Sequence, residues 1–274
     1  MSDPCAALVR GAVEGDRRAA EALVSAVQDD LFRLALRMLG SRAEAEDATQ
    51  EVLLKALTHL SEFRGESAFR TWLFRIAVRH LLGVKRGRRE QLASFETLDA
   101  LLAQGDAHPA LPEVTDAERA LMAQEVRLAC TQGVLLSLER EQRIAWILSD
   151  IFELSSEEAA LVQEIDAAAH RKRLSRARQR LEAWMRAKCG LANGRNACRC
   201  TRQIPVAMSV GVLDLRRLEF ADARHQALRV AAEADEIEAA ASLIKAHPEY
   251  HAPAAVLASI RALIDSGRYR VFDA

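Results

Sequence analysis

Two helix starts set close together constrain this chain most. In LSSEEAALVQEIDAAAHRKRLSRARQRL, residues 154–181, Ser155 stands three residues before Glu158, the spacing of a capping box. Ala159, Ala160 and Val162 are small or apolar enough for close helix contact. Gln163, Glu164 and Ile165 leave room only for a tight turn, with Ile165 directed inward, and Asp166 is a good cap for the second helix. That helix carries His170 or Leu174, then Ala177, Leu181 and Trp184/Met185 on one stripe, at three- and four-residue steps. Such a pair folds as a helix-turn-helix, whose second helix places its N-terminal part in the DNA major groove. Here that part is Ala167, Ala168, Ala169 and His170, small enough to approach base edges, with Arg171 and Arg173 able to reach phosphate or guanine. The bland alternative is a basic, solvated surface helix.

The rest of the chain is helical as well. Half the residues are hydrophobic but only 5% are aromatic, a balance that suits helices packed on helices and gives an all-α fold class. Asp16 caps a first helix with Ala19, Leu23 and Val24 on one face, and Gly40-Ser41 stops the next run, LFRLALRML. Ser41 and Glu44 fit another capping box, ahead of a core stripe of Val52, Leu53, Ala56 and Leu60. FRGES is a turn, and SAFRTWLFRIAVRHLLGVKRGRR is a long helix ending in a basic run.

Net charge is −1, but the charge is blocked: residues 64–89 hold eight Lys/Arg and one acid, 90–118 seven acids and no Lys/Arg, and 166–188 eight Lys/Arg and two acids. Four segments follow: a helical domain over 1–89, an acidic linker over 90–118 with one helical turn near Leu98–Leu102, a helix-turn-helix domain over 119–188, and a small helical, cysteine-containing C-terminal extension over 189–274. No apolar run approaches the ~18 residues of a membrane span. The start MSDPCAALVRGAVEGD lacks an export pattern, so a cytoplasmic, nucleoid-associated protein is expected.

Two blocks carry a family resemblance. LFRLALRMLGSRAEAEDATQEVLLKALTHLSEFRGESAFRTWLFRIAVRHLLGVKR resembles the N-terminal domain of bacterial sigma factors of the extracytoplasmic-function type, and LLSLEREQRIAWILSDIFELSSEEAALVQEIDAAAHRKRLSRARQRL their promoter-binding C-terminal domain. The match covers roughly residues 16–188. The resemblance implies that Glu46, Asp47, Gln50 and Glu51 bind the clamp helices of core RNA polymerase. It implies that Phe63, Arg64, Phe69, Arg70, Trp72, Arg79, Lys85 and Arg86 open and hold the −10 element. Melted DNA needs flat surfaces to replace lost stacking and positive charge to hold its backbone, which these residues offer. A flipped base fits the turn before Ser67, although Trp72 also reads as a core residue. The −35 element falls to Ala168, Ala169, His170, Arg171, Arg173, Arg176 and Arg178. The chain departs from the family with Arg79 where Asn is usual, Gly83 where Asp is usual, and Glu164 where the turn usually has Gly. The expected partners are core polymerase, promoter DNA, and either an anti-sigma factor or the chain's own extension acting as an inhibitor.

The extension adds CGLANGRNACRCTRQ, in which Cys189, Cys198 and Cys200 cluster. Three thiolates and a fourth ligand (His170, His225 or Cys130) would suit tetrahedral zinc; redox sensing and plain structural cysteines are the other readings. No other cofactor is expected. Nor is catalysis: no Gly-rich phosphate loop and no Ser/His/Asp set at diagnostic spacing is found. The rival function is a dimeric helix-turn-helix regulator, which explains residues 119–188 but not the aromatic-basic segment 63–89; a metal- or redox-responsive sensor is the third.

Overall fold

The structure is a computed structural model that describes residues 4–105, 114–214, 218, 220, 221 and 240–265. These residues form helices and connecting turns, without strands. Helices α1 (Ala6–Val13), α2 (Arg17–Leu39), α3 (Arg42–Thr58) and α4 (Phe69–Gly83) come first. The short α5 (Arg88–Leu92) and α6 (Phe95–Gln104) follow, then α7 (Asp116–Leu136) and α8 (Arg140–Trp146). The helix-turn-helix is α9 (Ser156–Gln163) and α10 (Ala167–Lys188); α11 (Ile204–Ser209), α12 (Ala240–Lys245) and α13 (Ala254–Asp265) complete the described chain.

The local signals fix the helix ends. Asp16 accepts the amides of Arg18 at 2.8 Å and Ala19 at 3.3 Å, and Gly40 closes α2 in the left-handed region at φ 72°. Ser41 accepts the Glu44 amide at 3.4 Å. The Glu44 carboxylate lies against Gly87, where any side chain would collide with it. Both halves of the Ser155–Glu158 capping box form, and so does an unanticipated one between Thr115 and Glu118 that starts α7.

The contacts divide the chain into two compact units, and their borders differ from the sequence boundaries. One unit comprises residues 1–87, 147–172 and 249–274. Its centre is α2, α3 and α4, with Phe32, Leu34, Leu36, Leu53, Leu73 and Phe74 fully buried. Helix α9 packs on α4 here, and just ahead of α9 Phe152 meets Phe74 edge-on at 4.9 Å. Helix α13 lies on α2 and α3: Arg261 Nε donates to Glu21 at 2.9 Å, and the Ala252 amide and His251 ring engage the Asp29 carboxylate at 2.9 and 2.7 Å.

The second unit comprises residues 88–146 and 173–248. Here the acidic linker expectation is corrected. Residues 95–104 are a helix capped by Ser94, which accepts the Thr97 amide at 3.0 Å. Its Asp99 accepts Trp184 Nε1 at 2.8 Å and Lys188 Nζ at 2.9 Å, and Phe95 packs beside Trp184. Glu90 is buried between Arg140 and Arg143. Pro109 and Pro112 lie outside the described residues. Residues 200–213 fold onto α7, sharing a core of Met122, Val126, Ile204, Ala207 and Leu213. The extension expected as one small domain therefore contributes to both units, because its apolar residues find partners on different helices.

Candidate nucleic-acid interface

On α3, Ala45, Ala48, Thr49, Val52 and Leu53 are buried. Glu46, Asp47, Gln50 and Glu51 fall on the other side, with Asp47 and Glu51 exposed and Glu46 and Gln50 half-buried. Spacings of one and four residues place the four side chains on one helix face.

Beyond α3 the chain turns through Gly65, at φ 72°, into α4. The turn and the first turns of α4 enclose an open groove of about 660 Å³, lined by Phe63, Arg64, Ser67, Thr71, Trp72 and Arg75 among others. Phe63 is half-exposed at its edge, and its ring stands 5.5 Å from Phe69 and 5.6 Å from Trp72. Phe69 is only 1% exposed and Trp72 8%, so Phe69 is corrected from a DNA-facing ring to a core support for Phe63, and Trp72 offers the groove only an edge. Arg70 is half-exposed and already engaged: it pairs with Asp30 at 2.8 Å and lies over the rings of Phe74 at 5.0 Å and Phe152 at 5.2 Å. Arg64, Lys85 and Arg86 are exposed. The sequence reading missed Thr71 and Arg75 as groove residues; the helical step from Trp72 to Arg75 was the signal for the second.

Arg79 is exposed, and its Nη2 donates to Glu164 Oε1 at 2.6 Å. Glu164 closes α9 in the left-handed region, at φ 55° and ψ 43°. That backbone favours glycine, which gives the family's usual residue at this turn a physical reason.

Asp166 Oδ1 accepts the Ala169 amide at 2.7 Å and starts α10. Ala168, Arg171, Lys172, Arg176 and Arg178 are exposed, with Ala169 and Arg173 half-exposed. Arg171 has Glu157 at 3.7 Å as an exposed counter-charge. His170 is corrected: it is fully buried, with Nε2 2.9 Å from Ser149 Oγ and Nδ1 2.6 Å from Gln163 Nε2, so it ties the two helices together and faces away from any groove.

Among solved structures, that of CnrH in complex with the cytosolic domain of CnrY aligns with a TM-score of 0.47 at 23% identity, covering 66% of this chain and 96% of that one. Residues 23–90 match Sigma-70 region 2 and residues 128–181 match Sigma-70, region 4. The RNA polymerase sigma-H factor of Pseudomonas aeruginosa is 35% identical over 179 residues, 64% of this chain and 90% of that protein. The chain belongs to the extracytoplasmic-function sigma factors. The ECF RNA polymerase sigma-E factor of Escherichia coli K12 is 32% identical over 177 residues, 64% of this chain and 91% of that protein. As a sigma factor the chain is a transcription initiation factor, and the groove before α4 and the exposed face of α10 lie within the two matched regions. The matched regions end at residue 181, so the whole cysteine-bearing extension lies beyond them. Among the described residues, no helix is long and apolar enough to cross a membrane.

Proposed function

We propose that this sigma factor docks on core RNA polymerase through Glu46, Asp47, Gln50 and Glu51, reads a −35 element with α10, and holds the opened −10 strand in the groove between residue 61 and Arg75. The groove carries the reading. It combines a half-exposed ring with two exposed arginines, Arg64 and Arg75, next to a wall of hydroxyls from Ser67 and Thr71, with Glu62 and Glu66 also on its lining. Base stacking on an aromatic is worth about 1–3 kcal/mol, and the arginines supply the charge that a single strand needs. On α10, Ala168 and Ala169 leave room for base edges, while Arg171, Arg173, Arg176 and Arg178 serve phosphate and guanine.

Reconstituted transcription with core polymerase and a promoter library tests the reading. Promoter-specific transcripts and permanganate-reactive thymines at the −10 position are expected. A chain that does not associate with core polymerase, or that leaves the template closed, overturns it.

The extension supplies intramolecular control. Its helix α13 covers part of α2 and α3, in the unit that also carries the polymerase-facing acids. Truncation after Arg186 is expected to change promoter-specific output; unchanged output would leave the extension without that role.

A further inference from the structure

Four cysteines line one small cavity. Cys130 comes from α7, Cys189 follows the last residue of α10, and Cys198 and Cys200 stand on the returning chain; the cavity measures about 50 Å³. Val126, Trp184, Met185 and Leu243 are among its other walls, and no carboxylate lines it. Of the three fourth ligands open from the sequence, His170, His225 and Cys130, the cavity brings in Cys130, from a helix far back in the chain. The alternative fourth ligand His170 is held by Ser149 and Gln163, and His225 lies outside the described residues.

The loop that presents three of these thiols is built in detail. Asn196 donates from Nδ2 to the carbonyls of Arg186 at 2.9 Å and Cys189 at 3.1 Å, satisfying the end of α10. Asn193 adds a bond to the Arg186 carbonyl at 3.2 Å. The Arg199 guanidinium spans the loop, donating to the carbonyls of Asn196 at 2.6 Å, Cys198 at 2.8 Å and Gly194 at 3.3 Å. Position 190 accepts no side chain, because a Cβ there would strike the Cys198 carbonyl and Arg199. Cys200 is anchored in turn against the core of Met122, Val126, Ile204, Ala207 and Leu213. Polar loop residues thus return the chain so that Cys198 and Cys200 reach the cavity that already holds Cys130 and Cys189.

We propose that Cys130, Cys189, Cys198 and Cys200 form a four-thiolate site for zinc that fastens the extension to α7. Zinc accepts four thiolates in a tetrahedron, and its filled d shell tolerates loops that impose no fixed geometry. Among the described residues no three His, Cys, Asp or Glu side chains form a ready-made ligand group, so the ion draws the loop thiols inward onto Cys130 as it binds. The electrostatics agree. Burial pushes the Cys200 thiol up to about 12, with Cys189 and Cys198 adding to the rise against the opposing charge of Arg127. Burial, then Cys200, Cys189 and Cys198, hold the Cys130 thiol well above its ordinary value. Thiols buried as deeply as those of Cys130 and Cys200 ionise only with a cation beside them. On binding, each thiol releases its proton to solvent and the four sulfurs become the ligands.

The test uses the full chain. Elemental analysis of chain purified without chelators, and of chain reconstituted with zinc chloride, is expected to give one zinc per chain. Cobalt substitution is expected to give the intense sulfur-to-cobalt charge-transfer absorption of a thiolate tetrahedron. In competition with a chromophoric chelator, Cys130→Ser and Cys198→Ser each weaken zinc binding by at least about tenfold, and Cys5→Ser leaves it unchanged. Cys198 sits in the loop, so its variant keeps the α7 core intact. The proposal is overturned if neither preparation holds zinc, or if either Cys130→Ser or Cys198→Ser retains the wild-type affinity and cobalt spectrum.

Discussion

Arg79 and Glu164, two positions at which this chain departs from the usual family pattern, are bonded to each other at 2.6 Å. The pair bridges the exposed side of α4 and the turn between α9 and α10. Both side chains are largely in solvent, Arg79 at 74% and Glu164 at 47%, so the bond contributes within about 1 kcal/mol. Its interest lies in competition: an arginine paired with Glu164 is not free to meet a phosphate. Glu164→Gln keeps the backbone and removes the charge, and is expected to raise promoter-complex formation by up to about fivefold, the ratio that ~1 kcal/mol allows. Glu164→Gly additionally relieves the left-handed strain of about 1 kcal/mol and is expected to unfold at equal or higher denaturant. Filter binding of polymerase holoenzyme and urea denaturation measure the two effects; weaker DNA binding by Glu164→Gln would refute the competition.

Phe63 and Phe69 separate function from packing. Phe69 is fully enclosed, and Phe69→Ala is expected to cost about 3–5 kcal/mol of stability. Phe63→Ala removes a half-exposed ring, so it is expected to leave the fold standing and to lower open-complex formation by one to two orders of magnitude, from the ~1–3 kcal/mol of one stacked base. Arg75→Ala is expected to act in the same direction. Permanganate footprinting read beside thermal melts of the free protein distinguishes the two outcomes. Equal loss of stability in both Phe variants would place Phe63 in the core.

How much of this was legible in the sequence depends on the range of each interaction. Asp16, Gly40, Ser155 and Asp166 were readable because a cap and the amides it serves lie within a few residues. The burial of His170 was half-visible, since it shares the stripe of Leu174 and Ala177, yet its position at the start of a recognition helix suggested a base contact. The linker failed as an expectation for a different reason. Seven acids without a Lys or Arg look solvated in one dimension, but two of them find counter-charges far along the chain: Arg140 and Arg143 for Glu90, Lys188 for Asp99. Cys130 was legible as one of three candidate fourth ligands, and only the meeting of α7 with the loop after α10 singles it out.

Glu90 makes acid sensitivity a direct readout of the second unit. Its carboxylate accepts from Arg140 Nε at 2.8 Å and Arg143 Nη1 at 3.0 Å, and Arg143 also caps the end of α7 through the carbonyls of Leu135, Leu136 and Leu138. Burial alone would push the Glu90 carboxyl up, but the bond from Arg140 and the charges of Arg143 and Arg140 hold it below its ordinary value. A carboxylate lowered in the folded state stabilises fully above its unfolded value, and that stability is lost as pH falls through the lower folded value. Denaturation midpoints are therefore expected to fall as pH drops below about 4.5. In Glu90→Gln, which leaves two buried arginines without their anion, stability at neutral pH drops by about 3–5 kcal/mol and the Glu90 contribution to the acid step disappears. A Glu90→Gln chain with the wild-type pH profile would show that the carboxylate is not the group responsible.

The basic face of α10 is tested by salt. Arg176 and Arg178 are exposed on α10 beyond its base-proximal first turn, a placement that suits phosphate contact. Each phosphate contact releases a counterion, so Arg176→Ala and Arg178→Ala are expected to lower affinity for all promoters alike and to reduce the slope of log affinity against log salt by about 1 each. Ala168 lies at the start of the helix, exposed and small, where under the proposed reading a longer side chain meets base edges first. Ala168→Gln is expected to shift −35 preference while leaving the salt slope unchanged. His170→Ala, by contrast, removes a buried link between α9 and α10 and lowers stability without a change in sequence preference. Holoenzyme binding to a randomised −35 library at two salt concentrations reads all four variants. A changed preference in His170→Ala with an unchanged melting point would return that residue to the DNA.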